Sequence, residues 1–273
     1  MKNPRLFVKQ HPVAVFLVLA FFLSWWPSLL YVLHIGNFPP ILPLGPLLAA
    51  LIVLPLAGGW AAIREFGRRI FHWRAGIGWW VVAIGFPILV SAAAAGANIL
   101  MGAAATRSLM PISLSALALA SLDSLLWVGL GEEAGWSGFA LPRLLRSRSF
   151  IAVVIILGTV RALWHLPLFL AGQQDWIVAL SLFPVQLIFT WIFIRTRGSA
   201  LLLILAHVSQ NVVGSMFFSL FSGPDLTRMY GLWTVGLFAL AGFALWRVGP
   251  AARQTFDESP ARELVEVRSV PSA

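Results

Sequence analysis

Six ionisable side chains and one amide stand inside stretches that are otherwise apolar: Asp123, Glu132, Glu133, Arg161, His165, His207 and Asn211. An ionisable group in a hydrocarbon environment costs roughly 3 kcal/mol on insertion scales, so each calls for a reason. His207 and Asn211 are four residues apart, which on a helix sets them on one face, about 40° from each other. An imidazole N–H and an amide N–H are both donors suited to a carbonyl oxygen that becomes negative during acyl attack. Glu132 and His165 then remain to hold and deprotonate a water, a task suited to a desolvated carboxylate and an imidazole. With no cysteine in the chain there is no thiolate nucleophile, no disulfide and no Cys-ligated metal.

The elements that must position these groups are membrane helices. At 59% hydrophobic and 11% charged over 273 residues, the chain lacks the polar side chains to coat a soluble globule. A spanning helix needs about 20 apolar residues. The sequence predicts spans near 13–34, 40–63, 76–101, 113–142, 149–171, 176–194, 199–222 and 229–247. The expected fold is therefore all-α, a polytopic membrane protein of about eight transmembrane helices. Residues 1–249 form a single transmembrane domain, and 250–273 a mobile cytoplasmic tail whose composition turns charged after Pro250.

The net charge of +9 could suggest nucleic acid, but the placement of the basic residues argues for membrane topology instead. Thirteen Lys and Arg fall on one side of the alternating spans, including Lys9, Arg68, Arg74, Arg146, Arg148 and Arg197. Two, Arg107 and Arg228, fall in the opposite short loops. By the positive-inside rule both termini are expected to be cytoplasmic, which requires an even number of spans. The expected partners are the lipid bilayer and a peptide or membrane-tethered protein substrate, with no nucleic acid.

Counted along the helical rise from the basic ends, Glu132, His165, His207 and Asn211 reach roughly 16, 24, 12 and 18 Å into the apolar layer, a common level near its middle. Asp123 lies further out and off that face, and is expected to be a structural hydrogen-bonding residue. Trp25, Trp26, Trp176 and Trp246 fall near span ends, as interface anchors do. Gly131, Gly135 and Gly138 would let helices approach closely. His11, His34 and His72 lie in flanks and loops. Gln186 is expected to bond to a neighbouring helix, and Arg143, Arg146 and Arg148 to serve topology.

Three segments resemble the CPBP or Abi family of intramembrane proteases, which includes the type II CAAX prenyl endopeptidases. Glu132-Glu133-Ala-Gly-Trp-Ser-Gly-Phe-Ala-Leu-Pro-Arg-Leu is similar to the family's paired-glutamate motif. Arg161-Ala-Leu-Trp-His165-Leu-Pro-Leu-Phe resembles its Trp-His-Leu-Pro motif, and His207-Val-Ser-Gln-Asn211 its HxxxN motif. The resemblance covers about 115–220. It implies an endopeptidase in which Glu132 and His165 activate water while His207 and Asn211 form an oxyanion hole. It also implies a prokaryotic plasma membrane, with the site opening towards the cytoplasm. The family has been described as metalloproteases, and Glu132, His165 and His207 would be the ligands if a divalent metal such as zinc were used. HExxH is absent, and metal-independent water activation is the favoured expectation.

The chain departs from the resemblance in one place. The paired-glutamate motif normally carries an arginine four residues after its second glutamate, and here that position is Ser137. Arg161 meanwhile stands where the second motif is usually apolar or aromatic. The expectation is that the ion pair has moved from within one helix to between two, joining Glu133 to Arg161. Other classes remain open: a proton-coupled transporter, since membrane Glu and His also build proton relays, and a non-catalytic immunity or binding scaffold.

Overall fold

A computed structural model describes residues 4–106 and 113–248. The expected tail, 250–273, and Arg107 lie outside these residues. A short helix α1 (Pro4–Gln10) leads into α2 (Pro12–Val32), α3 (Gly45–Ile70), α4 (Ile77–Leu100) and α5 (Leu114–Ser124). α5 continues without interruption into a π-helical segment, π1 (Leu125–Ala140), and α6 (Leu141–Leu145). Then follow α7 (Phe150–Trp164), α8 (Leu166–Leu170), α9 (Ile177–Arg195) and α10 (Ala200–Ser209). A second π-helical turn, π2 (Gln210–Gly214), joins α10 to α11 (Ser215–Phe218), and α12 (Gly223–Val248) closes the described chain.

Seven of these helices, counting α5–α6 and α10–α11 as one each, are long and apolar enough to cross a membrane. α7, with 15 residues, is the eighth apolar helix and is extended by α8. The chain is all-helical among the described residues, and each predicted span coincides with one of these helices. The fifth span departs from its expected course. It was read as continuous over 149–171, but α7 ends at Trp164 and His165 forms its cap. Pro167, two residues on, has no N–H with which to bond the Leu163 carbonyl, so the helix cannot run straight through.

π1 lies at the centre. It packs between α3 and α10, while α7 packs on α9 and α9 on α12. Every residue from Gly131 to Ala140 is buried. That packing depends on residues without side chains: a Cβ on Gly135 would lie 2.5 Å from the Pro46 backbone, and one on Gly131 2.9 Å from the Pro43 carbonyl oxygen. The small-residue series thus serves close helix approach, as its spacing suggested. Beside it Phe16 stacks on Phe139 and meets Trp136 edge-on.

Trp26, Trp176 and Trp246 are exposed, as interface anchors would be. Trp25 has a further task, since its indole Nε1 donates to the Trp164 carbonyl at 3.0 Å and ties α2 to the end of α7. Two expectations are corrected. Asp123 is exposed and makes no hydrogen bond or ion pair among the described residues, because α5 leaves nearly all of its side chains uncovered. Gln186 donates to Thr190 Oγ1 at 3.1 Å, one turn along α9 itself, so its bond lies within a helix.

Candidate active site

Glu132 and Glu133 sit side by side near the middle of π1. π-helical geometry is rare and concentrates at functional sites, and here it carries both carboxylates. The two have different surroundings. Glu133 is fully buried and meets donors on every side. Arg161 reaches across from α7, its Nη2 paired with Oε1 and its Nη1 3.2 Å from Oε2. Ser137 Oγ donates to Oε2 at 2.5 Å, and His207 Nδ1 lies 3.0 Å from Oε1. The interhelical Glu133–Arg161 pair read from the sequence is thus what the fold contains. Ser137, read there as a lost partner, keeps a hydrogen bond to the carboxylate from the arginine's position.

Glu132 is the opposite case. It is 5% exposed, and its Oε2 is buried with no partner among the described residues. Such an orphan acceptor is costly, and sites that keep one use it for a ligand or a reaction.

His165 sits at the break between α7 and α8, with its Nδ1 2.8 Å from the Arg161 carbonyl oxygen. A carbonyl accepts only, so Nδ1 carries the hydrogen and neutral His165 presents a lone pair at Nε2. Trp164 packs edge-on against the ring and Phe169 lies beside it. The same logic fixes His207. Paired with the Arg161 guanidinium, Glu133 is a carboxylate and accepts from His207 Nδ1. His207 therefore offers a donor at Nε2 only when doubly protonated. Asn211 is held by one amide hydrogen, donated to the His207 carbonyl at 3.1 Å, leaving the other free.

Glu132, His165, His207 and Asn211 all line one cavity of about 520 Å³. Its remaining wall comes from the 39–43 loop, Trp127, Val128, Trp164, Leu168 and the pair Gln173 and Gln174. A second cavity of about 230 Å³ shares His165, His207, Asn211 and Gln174 and runs between α4, α9 and α12, where Val185, Phe189 and Trp233 make it mostly apolar. The two histidines and the asparagine form the partition between the cavities. Gln174 and Gln210 reach these walls unannounced by the motif reading. Gln210 could have been noticed, since it precedes Asn211 within the HxxxN segment.

No three His, Asp or Glu side chains among the described residues are arranged to hold a metal ion. Glu133 is taken up by Arg161, Ser137 and His207, and the Nδ1 atoms of both histidines are engaged. The atoms left unengaged, the Glu132 carboxylate and the two histidine Nε2 atoms, are the ones that would hold a divalent cation if one were used.

This constellation falls within a single matched segment. Residues 114–213 match the Rce1-like type II CAAX prenyl endopeptidase family. The Rce1-like segment contains Glu132, Glu133, Ser137, Arg161, His165, His207 and Asn211, and it is the type II CAAX group that the three motifs resemble. Within the same kind of match, the chain is 31% identical over 93 residues to the CAAX prenyl protease 2 of Methanococcus maripaludis, covering 30% of this chain and 34% of that protein. The chain thus matches about a third of that relative's length. The Rce1-like segment takes in π1, α7–α8, α9 and most of α10–π2, the elements that line the first cavity apart from the 39–43 loop.

Proposed function

We propose that this chain is an intramembrane endopeptidase of the CAAX-protease-like type, hydrolysing a peptide bond with an activated water. The observation that carries the reading is the convergence of Glu132, His165, His207 and Asn211, from three separate helical segments, on one cavity within the bundle. The water sits between the unpartnered Glu132 carboxylate and the His165 Nε2 lone pair. Glu132 takes its proton as the oxygen attacks the scissile carbonyl carbon. The carbonyl π electrons move to oxygen, and the resulting oxyanion accepts from the free Asn211 N–H and from doubly protonated His207. Collapse of the intermediate breaks the C–N bond, and protonated Glu132 delivers its proton to the departing nitrogen.

The charges support these roles. Glu133 and Arg161 form a charge-paired unit beside the site, and the mechanism takes Glu132 as the carboxylate and His207 as the imidazolium. Glu133 and Arg161 act as positioning residues: the pair fixes His207 through its Nδ1, and Arg161 holds His165 through its carbonyl. Ser137 keeps a hydrogen bond to Glu133 and Arg161 supplies the cation that the motif position lacks, which weighs against a non-catalytic scaffold.

Purified protein in detergent, incubated with a peptide library with and without chelator, tests the proposal against a Glu132→Ala variant. Cleavage by the native chain, insensitive to chelator and abolished in the variant, is expected. Equal cleavage by both removes Glu132 from the mechanism, and loss on chelation restores a metal to it.

A further inference from the structure

Four side chains line both cavities: His165, His207, Asn211 and Gln174. The first three have tasks in the proposed hydrolysis. Gln174 has none, and it stands in the connection between α8 and α9, outside the three motifs.

The backbone on either side of Gln174 is fixed. α8 closes with Gly172 in the left-handed region, at φ 68°. The Gly172 N–H donates to the Phe169 carbonyl at 3.1 Å, and the Gln173 N–H to the Leu168 carbonyl at 2.9 Å. This pair of bonds is a Schellman closure, which glycine admits because it has no Cβ to clash. On the other side Asp175 Oδ1 accepts from the Ile177 N–H at 2.9 Å and so caps the start of α9. Phe169 and Trp176 stack across the connection, their ring centroids 5.1 Å apart. Gln174 thus sits between two anchored ends.

Nothing comparable holds its side chain. The amide makes no hydrogen bond among the described residues, and its Oε1 is buried without a partner. A buried acceptor left in that state carries the desolvation cost of a bond it does not make. A fixed backbone bearing an unsatisfied amide, at the partition where the chemistry is placed, is what a ligand contact requires.

We propose that Gln174 is a substrate-binding residue whose side-chain amide accepts a hydrogen bond from a main-chain N–H of the peptide, beside the scissile bond. The inference rests on the peptidase reading. A carbonyl carbon attacked at the partition has to lie next to His207 and Asn211, and a chain that passes them passes Gln174. A peptide N–H taken into walls as apolar as Val185, Phe189 and Trp233 loses its water and needs an acceptor. The Gln174 amide supplies one without charge, whatever side chain the substrate residue bears.

The full-length protein in detergent is tested with a peptide that it cleaves and with depsipeptides of the same sequence. In each of these one N–H flanking the intact scissile bond is replaced by an ester oxygen. Gln174→Met, similar in length but without hydrogen-bonding groups, is expected to raise KM by about 5–10-fold, the scale of one neutral hydrogen bond, with kcat and melting temperature near native. One depsipeptide should lose the same factor against the native chain and nothing further against Gln174→Met. Gln174→Ala repeats the measurement with a side chain too short to crowd the partition. Equal loss in native and variant chains at every position overturns the proposal. So does a native chain indifferent to every ester, whether or not the variants fold. A fall in kcat and melting temperature at constant KM makes Gln174 a brace of the loop and also overturns it. If the native chain cleaves no peptide, fluorescence anisotropy of a labelled peptide library separates the two readings. Binding that weakens in Gln174→Met keeps the contact while the peptidase falls, whereas equal binding or none overturns the contact as well.

Discussion

Arg161 on α7 grips both oxygens of Glu133 on π1, so that two helices 28 residues apart in sequence are joined by a fully buried ion pair. Removing one partner strands the other in a low-dielectric interior, at a cost of roughly 3–5 kcal/mol. Glu133→Gln and Arg161→Leu are each expected to lower the thermal midpoint in detergent sharply, and the double variant by less than their sum. Ser137→Arg should recover stability in the Arg161→Leu background, since it returns a guanidinium one turn from Glu133. The double-mutant cycle reads the coupling directly. Additive losses would mean that Arg161 has another task.

Glu132 makes no bond that holds the fold, as its unpartnered Oε2 shows. Glu132→Gln is therefore expected to leave the melting temperature within a few degrees of native while activity falls by about 10²-fold or more, the usual scale for a lost general base. Its neighbour gives the contrast: Glu133→Gln should lose both stability and turnover. A variant pair with the opposite pattern would exchange the roles of the two carboxylates.

The sequence made the spans legible because lipid demands about 20 apolar residues at each crossing, and that pattern needs no knowledge of packing. It also made the relocated ion pair legible, since an arginine amid Val160 and Ala162 has to be compensated. It could not show the break at His165 as more than a proline nearby, nor the π-helical course of residues 125–140. Both depend on backbone bonding that neighbouring helices impose. Ser137 was misjudged for a related reason: spacing reveals that a charge is missing, whereas the hydroxyl's bond to Glu133 needs a rotamer. Asp123 looked like a structural hydrogen bonder because it is an ionisable group inside an apolar span, but its side chain is exposed.

Gly135 is a test of the packing that sets π1 in place. A methyl group there would meet Pro46 backbone at 2.5 Å, and backbone cannot swing aside as a flexible side chain can. Gly135→Ala is expected to cost about 1–3 kcal/mol through overpacking and to reduce activity with it, because a shift of π1 moves both carboxylates. Gly96→Ala, where a Cβ meets nothing within 4 Å, should be neutral or slightly stabilising as a helix substitution. Differential scanning fluorimetry in detergent distinguishes them, and equal behaviour would mean that π1 is not held by that contact.

Asn211 separates an oxyanion donor from a substrate-binding residue. One of its amide hydrogens is given to the His207 carbonyl, so the side chain is already oriented and its second hydrogen projects from a fixed position into the cavity wall. A donor of this kind acts on charge that exists only after attack, so its loss should fall on kcat, by about 10²–10³-fold, with KM little changed. Asn211→Ala is expected to behave in that way. Asn211→Asp should be at least as damaging, although it is nearly isosteric, because a carboxylate has no hydrogen to give and sets a negative charge beside the forming oxyanion. If the residue instead binds substrate, both variants should raise KM and leave kcat near native. If it only braces π2, both should lower the melting temperature in proportion to the lost activity. Steady-state kinetics on the three proteins, with melting temperatures beside them, decides among these outcomes.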